Sequence, residues 1–211
     1  MSSVMITASH VRLDLVRPDL GRIDIRRDIA EPLAVIPRFG GHEGARRTDR
    51  RIWSVGQHCV VGAKAMLDET GDPRLALGFL LHDAHEAFIG DITTPTRDAI
   101  AVLCAVAGAM FRTALADLKQ KLDAQIHVRA GLQLSAADRA AIHLMDMRML
   151  ASEARQILGV EPEKEPHLWP AECPKATPVR TNGALCPWPA KRTADEWMAL
   201  WDAWRPMRRA A

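Results

Sequence analysis

Apolar positions recur at helical spacing along most of this chain. The apolar period that follows Ser54 predicts a helix that begins at a capping-box pattern, Ser54 with Gln57, and ends at Gly71. Pro73 lies at the start of a second predicted helix, which carries an apolar run and continues to Gly90. Two helices are therefore expected to follow each other with only a short connection.

Two longer helical patterns come next. Apolar residues keep a helical period over residues 96–128, with an expected break near Gly108. Ser135 and Asp138 form a capping pattern for a further helix, which extends to about Leu158. Together these patterns predict an all-α fold.

The beginning of the chain shows a different pattern. Apolar and polar residues alternate at 11–15 and 23–25, which predicts at most two short strands joined by a turn. Asp28 is expected to cap a short helix that ends near Ile36.

The C-terminal part of the chain begins as a proline-rich coil with little periodicity. Thr193 and Glu196 form a second capping-box pattern, which predicts a short C-terminal helix that carries several tryptophans. We expect this tryptophan face to pack on the domain rather than bind a ligand. The chain is therefore divided into a helical domain over residues 1–158 and a coil-rich extension, residues 159–211, that packs on it.

Composition narrows the class of protein. Of the 211 residues, 48% are hydrophobic and 26% are charged, as in one soluble globular domain. A net charge of +2 argues against a nucleic-acid polymer as a bulk partner. The longest apolar run, residues 100–111, is too short to span a membrane, so no membrane partner is expected.

The four cysteines form no CxxC pair. Cys59 and Cys104 lie in apolar helical patterns and are expected to be small core residues. Cys173 and Cys186 could close a loop, although nothing in the sequence requires it. The N-terminus carries no apolar signal sequence, so we expect a reducing, cytoplasmic environment.

Arg46, Arg47, Arg50 and Arg51 form a local basic cluster. It is either a solvated turn or a segment that attracts an anionic substrate. The sequence leaves both interpretations open.

Four ionisable residues fall on apolar helix faces, where an unpaired charge is costly. His82 and Asp83 directly follow an apolar run, and His58 and Asp146 lie on the apolar faces of two other predicted helices. A single core-facing histidine is more often a structural residue than a ligand. Together, however, the four supply two imidazoles and two carboxylates, a set that suits Mn²⁺, Co²⁺, Fe²⁺, Ni²⁺ or Zn²⁺. Four protein ligands would leave an octahedral ion open positions for water and substrate.

The pattern His58 … His82-Asp83 … Asp146 resembles the H…HD…D signature of the HD-domain metal-dependent phosphohydrolases. The string His-Asp-Ala-His-Glu-Ala-Phe-Ile-Gly-Asp-Ile-Thr-Thr-Pro, which begins at His82, is similar to the branch of bacterial 5′-deoxynucleotidases and related nucleotide phosphohydrolases. The resemblance covers about residues 10–158, with a weaker match at the C-terminal tryptophan helix. It implies an HD-domain helical bundle in which these four residues hold one divalent transition metal ion.

The resemblance also implies roles for residues around the metal. Glu86 and Asp91 match the catalytic acidic residues of the family, which orient or deprotonate the attacking water and handle the leaving group. Arg38 matches an arginine that holds phosphate. Phe39 matches an aromatic residue beside the sugar or base, where tryptophan is common in the family. Residues 1–48 would therefore line the substrate side of the domain.

Three further residues near this pattern allow more than one interpretation. His42 lies in a Gly-rich turn, where it is either a substrate contact or a simple loop histidine. His85 stands where the family usually has a small residue, and it would touch substrate, bind a second metal ion or lie behind the site. Glu153 lies two helical turns after Asp146, and we interpret it as an ordinary ion pair between helices rather than as the partner of an arginine at the site.

The function implied by the resemblance is metal-dependent cleavage of phosphate from nucleotides, with deoxynucleoside 5′-monophosphates as the leading substrates. A deoxynucleoside triphosphate triphosphohydrolase, with Mg²⁺ on its polyphosphate, would use the same four ligands. An HD-type di-iron oxygenase would need extra histidine ligands, and a non-catalytic nucleotide binder would not need Glu86. The long helical stretch over residues 96–128 could also pair with a second copy in a homodimer.

Overall fold

The computed structural model describes residues 2–43, 51–181 and 183–205. Most of the basic cluster that begins at Arg46 lies outside these ranges. Within them the chain is mainly helical and adds one small sheet of two short strands. The predicted all-α class is confirmed.

The helices follow one another along the chain with mostly short connections. The α-helices are α1 (Glu31–Leu33), α2 (Val55–Thr70), α3 (Pro73–Leu81), α4 (Glu86–Ile89), α5 (Thr94–Leu103), α6 (Gly108–Ala130), α7 (Ala136–Glu153) and α8 (Ala190–Trp204). There are π-helical turns at Arg26–Ala30 and Ala154–Leu158, and 3₁₀ turns at Arg38–Gly41, Ala105–Ala107, Pro166–Leu168 and Cys173–Lys175. Helices α2 and α3 pack against each other, and α8 packs against both.

The two strands do not lie where both were predicted. Strand β1 (Val4–Ile6) pairs antiparallel with β2 (Arg12–Asp14), which falls inside the predicted strand at 11–15. The strand predicted at 23–25 is wrong, because this segment leads directly into a helical turn. The carboxylate of Asp24 accepts a hydrogen bond from the backbone N–H of Arg27, a local bond that favours a turn over a strand.

Asp28 is not the helix cap that the sequence predicts. It lies inside the π-helical turn, is buried, and accepts hydrogen bonds from the backbone N–H groups of Ser9 and Asp24 at 2.8 and 2.9 Å. The side chain therefore ties the loop between the strands to the helical segment. The short α-helix that follows this turn ends at Leu33, three residues earlier than predicted.

The predicted start and end of α2 are confirmed. Ser54 is the N-cap, its hydroxyl accepts a hydrogen bond from the N–H of Gln57, and Gly71 ends the helix with a left-handed conformation. The side chain of Gln57 does not complete a capping box. It donates to the carbonyl of Cys186 and accepts from the N–H of Trp188, and so fastens the C-terminal coil to α2.

The single helix predicted from Pro73 to Gly90 is interrupted. Helix α3 ends at Leu81, and the backbone then changes to hydrogen bonds of the i to i+3 type. The N–H of Glu86, for example, donates to the carbonyl of Asp83 at 3.0 Å. Residues 82–85 therefore form a tightened turn between α3 and α4, and Glu86 does not share one continuous α-helical face with the residues before it.

The helical pattern over residues 96–128 forms two helices, as the expected break near Gly108 indicated. A Cβ atom at Gly108 would lie 2.0 Å from the carbonyl oxygen of Ala101, so the close turn requires glycine. Cys104 lies in this turn and is exposed, so its prediction as a core residue is wrong. The turn divides the apolar run 100–111, and none of the helices in the described ranges has the length and hydrophobicity needed to cross a membrane.

Helix α7 begins as predicted. The hydroxyl of Ser135 accepts a hydrogen bond from the N–H of Asp138, and the carboxylate of Asp138 accepts one from the N–H of Ser135. This complete capping box fixes the start of the helix that carries Asp146 and Glu153. A π-helical turn then extends the helical segment to Leu158, as predicted.

The C-terminal helix begins earlier than predicted. Helix α8 starts at Ala190 after Pro189, whose extended conformation ends the preceding coil, and Thr193 is a buried residue inside the helix rather than its cap. The expected packing of the tryptophan face is confirmed. Trp197 and Trp201 are buried and their rings stack with centroids 5.8 Å apart.

All four cysteines are free thiols. Cys59 is buried, as predicted. Cys173 is buried and Cys186 is exposed, and no disulfide closes the loop between them.

We predict that Gly62→Ala lowers the free energy of unfolding by about 1–2 kcal/mol, because overpacking outweighs the helix propensity gained from alanine. A Cβ atom at this position would lie 2.1 Å from Cε1 of Phe79, a fully buried ring. That ring cannot move freely, since it packs against the imidazole of His82 with centroids 4.5 Å apart. Urea unfolding followed by circular dichroism measures the change.

Gly21→Ala is the matched control, because Gly21 lies on an exposed turn. We expect it to change the free energy of unfolding by less than about 0.5 kcal/mol. A Gly62→Ala variant as stable as this control would contradict the packing described for Phe79.

Candidate metal centre

Three separate segments bring the four predicted ligands together. Helix α2 carries His58, the turn after α3 carries His82 and Asp83, and α7 carries Asp146. The Nε2 atoms of the two histidines lie 3.3 Å apart. Oδ1 of Asp146 lies 3.3 Å from Nε2 of His58 and 3.7 Å from Nε2 of His82. Oδ2 of Asp83 lies 3.2 Å from Nε2 of His82.

These separations fit the ligands of one divalent ion. Two ligands that are each about 2.1 Å from an ion lie roughly 3.0–3.5 Å apart at octahedral to tetrahedral angles. Each separation that involves a histidine nitrogen is close to this range, from 3.2 Å between His82 and Asp83 to 4.0 Å between His58 and Asp83. His58, His82 and Asp83 form a group that could hold a metal ion, and Asp146 adjoins both histidines.

Hydrogen bonds on the far side of each imidazole direct its other nitrogen into the cluster. Nδ1 of His58 donates to Oε1 of Glu153 at 2.7 Å, and Nδ1 of His82 donates to the carbonyl of Phe79 at 2.7 Å. In the neutral rings the lone pairs are therefore on Nε2, and the two lone pairs face each other. Such an arrangement needs a proton or a cation between the rings, and metal-ligating histidines are usually oriented in this way.

Glu153 has a larger role than the sequence suggested. Its side chain is fully buried. Besides His58 it accepts hydrogen bonds from Nε1 of Trp53 at 2.7 Å and from Nε of Arg38 at 3.1 Å. The interpretation of Glu153 as an ordinary ion pair between helices is therefore wrong, because it pairs with an arginine at the site and orients a candidate ligand.

Arg38 lies beside the cluster. Its side chain is only 12% exposed, and Nη1 lies 3.4 Å from Oδ2 of Asp83. Burial opposes its charge, but the carboxylates of Glu153, Asp146 and Asp83 outweigh burial and raise the pKa of Arg38 above its ordinary value. The guanidinium thus stays charged next to the candidate metal ligands.

Phe39 follows Arg38 and lies near it. The guanidinium carbon of Arg38 is 5.6 Å from the centre of the Phe39 ring. Phe39 is half-buried and has a φ of 56°, a left-handed conformation that is unusual for an aromatic residue. Such backbone strain is often found at ligand-binding positions.

The two candidate catalytic carboxyl groups share the same surroundings. Burial, with the negative charges of Asp83 and Asp91, raises the pKa of Glu86 to about 9. Burial also raises the pKa of Asp91, although the charge of Arg38 opposes this. Glu86 is 5% exposed, and its Oε2 atom has no hydrogen-bond partner among the described residues.

The remaining candidates occupy different places. His42 is exposed, and none of the contacts among the described residues joins its side chain to the cluster. His85 is buried beside the cluster, and its Nδ1 donates to Oδ1 of Asp123 on α6 at 2.9 Å. A ligand atom of His85 lies within 4.8 Å of ligand atoms of Asp83 and Glu86.

Sequence reasoning missed Trp53 and Asp123. Trp53 precedes the N-cap of α2 and is fully buried. The sequence shows that this residue is hydrophobic, but it does not show that the indole N–H donates a hydrogen bond to Glu153. Asp123 lies on α6, next to the buried Leu122, where it looks like any other helix-surface carboxylate. No signal in the sequence indicates that it faces His85.

The fold and these donors define a helical protein with a candidate metal centre. No protein-family model matches the chain. An uncharacterized protein of Rhodobacter capsulatus is 33% identical over 152 residues, which cover 70% of this chain and 69% of that protein. The chain therefore belongs to the same protein family as the Rhodobacter capsulatus protein.

We predict that the affinity for a divalent metal falls as the pH is lowered. Burial lowers the pKa of His82, but the charge of Asp83 and a hydrogen bond with Asp146 outweigh burial and raise it well above the ordinary value. Burial and Arg38 lower the pKa of His58, but Glu153 and Asp146 outweigh them and raise it. A proton on Nε2 must leave before that nitrogen can bind metal, so protons and metal compete.

Titration calorimetry with Mn²⁺ in buffers of different ionisation enthalpy measures this release. Because both pKa values are raised, we expect up to about two protons to leave per ion at neutral pH and fewer at alkaline pH. Metal affinity that does not change between acidic and neutral pH would show that these histidines are not ligands.

Proposed function

We propose that this protein is a metal-dependent phosphohydrolase of nucleotides, with deoxynucleoside 5′-monophosphates as its leading substrates. The observation that carries the proposal is the position of Arg38, 3.4 Å from Asp83, beside four converging metal-ligand side chains. A metal ion and a buried guanidinium in one pocket present positive charge from two directions. That combination favours a small anion with several oxygens, and phosphate fits it.

The residues around the cluster are suited to a metal-assisted reaction. A divalent ion held by His58, His82, Asp83 and Asp146 would act as a Lewis acid on a phosphoryl oxygen and would lower the pKa of a water molecule. Arg38 would bind the phosphate. A guanidinium has five N–H donors, and the described contacts use one with Glu153 and one with Asp83, so donors remain for phosphate oxygens.

Glu86 and Asp91 supply the groups that move protons. Hydrolysis of a phosphomonoester requires a proton to leave the attacking water and a proton to reach the oxygen of the departing nucleoside. Both carboxyl groups lie in the field of Asp83 and Arg38 and are partly or wholly withdrawn from solvent. Because the pKa of each group is raised, each holds a proton to higher pH than an exposed carboxyl group does, as a proton donor requires.

The same groups favour catalysis over simple binding. A protein that only binds a nucleotide gains nothing from an unpartnered buried carboxyl group, because that group would repel the phosphate or remain without a hydrogen bond. Among the described residues, Oε2 of Glu86 is a buried carboxyl oxygen without a hydrogen-bond partner. A hydrolase, in contrast, has a use for it at the reacting water or the leaving group.

The proposal predicts release of inorganic phosphate from deoxynucleoside 5′-monophosphates in the presence of Mn²⁺ or Co²⁺, and no release after chelation. A panel of mono- and triphosphates, with phosphate and triphosphate measured separately, tests it. Triphosphate as the product would identify a triphosphohydrolase at the same site. No turnover of any nucleotide with any of the candidate metals would overturn the proposed function.

We predict that Glu86→Gln lowers kcat by at least about 100-fold, the usual size of a lost acid–base group. The ion at His58 and His82 should be retained, because Glu86 is not among its ligands. Turnover and metal content are measured on the same sample. Glu172→Gln removes an exposed carboxylate from the C-terminal coil and is the matched control, with unchanged kcat expected. Normal turnover by Glu86→Gln would rule out the role proposed for Glu86.

A further inference from the structure

Asp83 belongs to a second group of potential metal ligands. One ligand atom each from Asp83, His85 and Glu86 lies within 4.8 Å of the others. His85 and Glu86 are 4% and 5% exposed, so they are not part of a solvated acidic surface. Asp83 is the residue that this group has in common with the cluster of His58 and His82.

Two atoms of this second group are buried without a partner. Nε2 of His85 and Oε2 of Glu86 have no hydrogen bond among the described residues. Buried polar atoms are nearly always satisfied, and each exception needs an explanation. Here the two unsatisfied atoms belong to neighbouring residues whose ligand atoms lie close together, so one bound cation would satisfy both.

Asp123 orients the imidazole of His85 for binding a cation through Nε2. Its Oδ1 accepts a hydrogen bond from Nδ1 of His85 at 2.9 Å, which leaves the lone pair of the neutral ring on Nε2. Glu153 does the same for His58 in the first cluster, at 2.7 Å. A carboxylate behind an imidazole is the usual arrangement for a metal-ligating histidine.

We propose that Asp83, His85 and Glu86 form a second divalent-cation site, so that Asp83 bridges two metal ions. The two carboxylates and one imidazole suit Mn²⁺, Fe²⁺ or Zn²⁺. Asp83 can serve both ions because a carboxylate has two oxygens, of which Oδ2 faces His82. The site rests on the geometry of these three residues, whereas its use in catalysis rests on the proposed phosphohydrolase function.

A bridged pair of ions would change how the substrate is held. In two-metal sites the ions stabilise both the attacking and the leaving oxygen of a displacement at phosphorus. Arg38 would then neutralise the remaining phosphate charge from the side of Glu153. The number of bound ions can be measured without substrate, so failure of this inference is distinguishable from failure of the proposed function.

The test is metal content and electron paramagnetic resonance of the full-length protein, stripped with a chelator and equilibrated with Mn²⁺ alone. We expect two ions per chain in the parent protein, with the exchange-coupled signal of a bridged pair. His85→Asn should bind one ion and lose the coupling. Asp123→Asn, which only repositions His85, should bind the second ion about 10- to 100-fold more weakly.

His143→Asn is the matched control, because His143 is exposed on α7 one turn before Asp146, and it should bind two ions. Retention of the first ion by His85→Asn shows that this variant is folded. A single ion in the parent protein, or two ions in His85→Asn, would overturn the second site. Two ions without exchange coupling would overturn the bridging position of Asp83.

Discussion

The buried carboxylate of Glu153 is the interaction on which the candidate site depends. It has no exposed surface and accepts hydrogen bonds from Trp53, His58 and Arg38. These donors come from the segment before α2, from α2 itself and from the 3₁₀ turn at Arg38–Gly41. A buried charge without partners is strongly destabilising, so these segments must assemble around Glu153 for α7 to pack. The hydrogen bonds to Glu153 therefore stabilise the core and orient His58 at the same time.

Negative charge exceeds permanent positive charge around this carboxylate. The buried guanidinium of Arg38 lies in the field of five carboxyl groups, those of Asp83, Glu86, Asp91, Asp146 and Glu153. A pocket with this balance is unfavourable for phosphate unless cations enter with it. We therefore expect metal binding and anion binding to be coupled in this pocket. The same excess accounts for the raised pKa values of His58 and His82, because nearby carboxylates stabilise the protonated imidazole.

The candidate ligands His58 and Asp146 could be predicted because periodicity fixes which side of a helix faces the core. His58 on α2 and Asp146 on α7 follow this rule, and their capping residues set the helix starts correctly. The turn after Leu81 could not be predicted, since residues 82–85 contain no glycine or proline that would signal the change to i to i+3 hydrogen bonds. The predicted role of Asp28 and Thr193 as helix caps is wrong for a related reason. Both residues have the local sequence pattern of a cap, but tertiary packing buries them. The contact of Asp123 with His85 joins residues that lie far apart in the chain, and only the fold reveals it.

The turn after Leu81 also affects the roles that we propose for the acidic residues. On one continuous helix Glu86 would project beside His82 and Asp83 toward the same ion. In the tightened turn it is grouped instead with His85 and Asp83, and one of its oxygens is buried without a partner. If that oxygen binds a second cation, the positive charge lowers the pKa of Glu86 and removes it as a proton donor. Asp91, which is more exposed and lies just beyond Gly90, would then be the group that protonates the leaving nucleoside. Under the proposed function, the number of ions bound would therefore determine which of the two carboxyl groups acts as the acid.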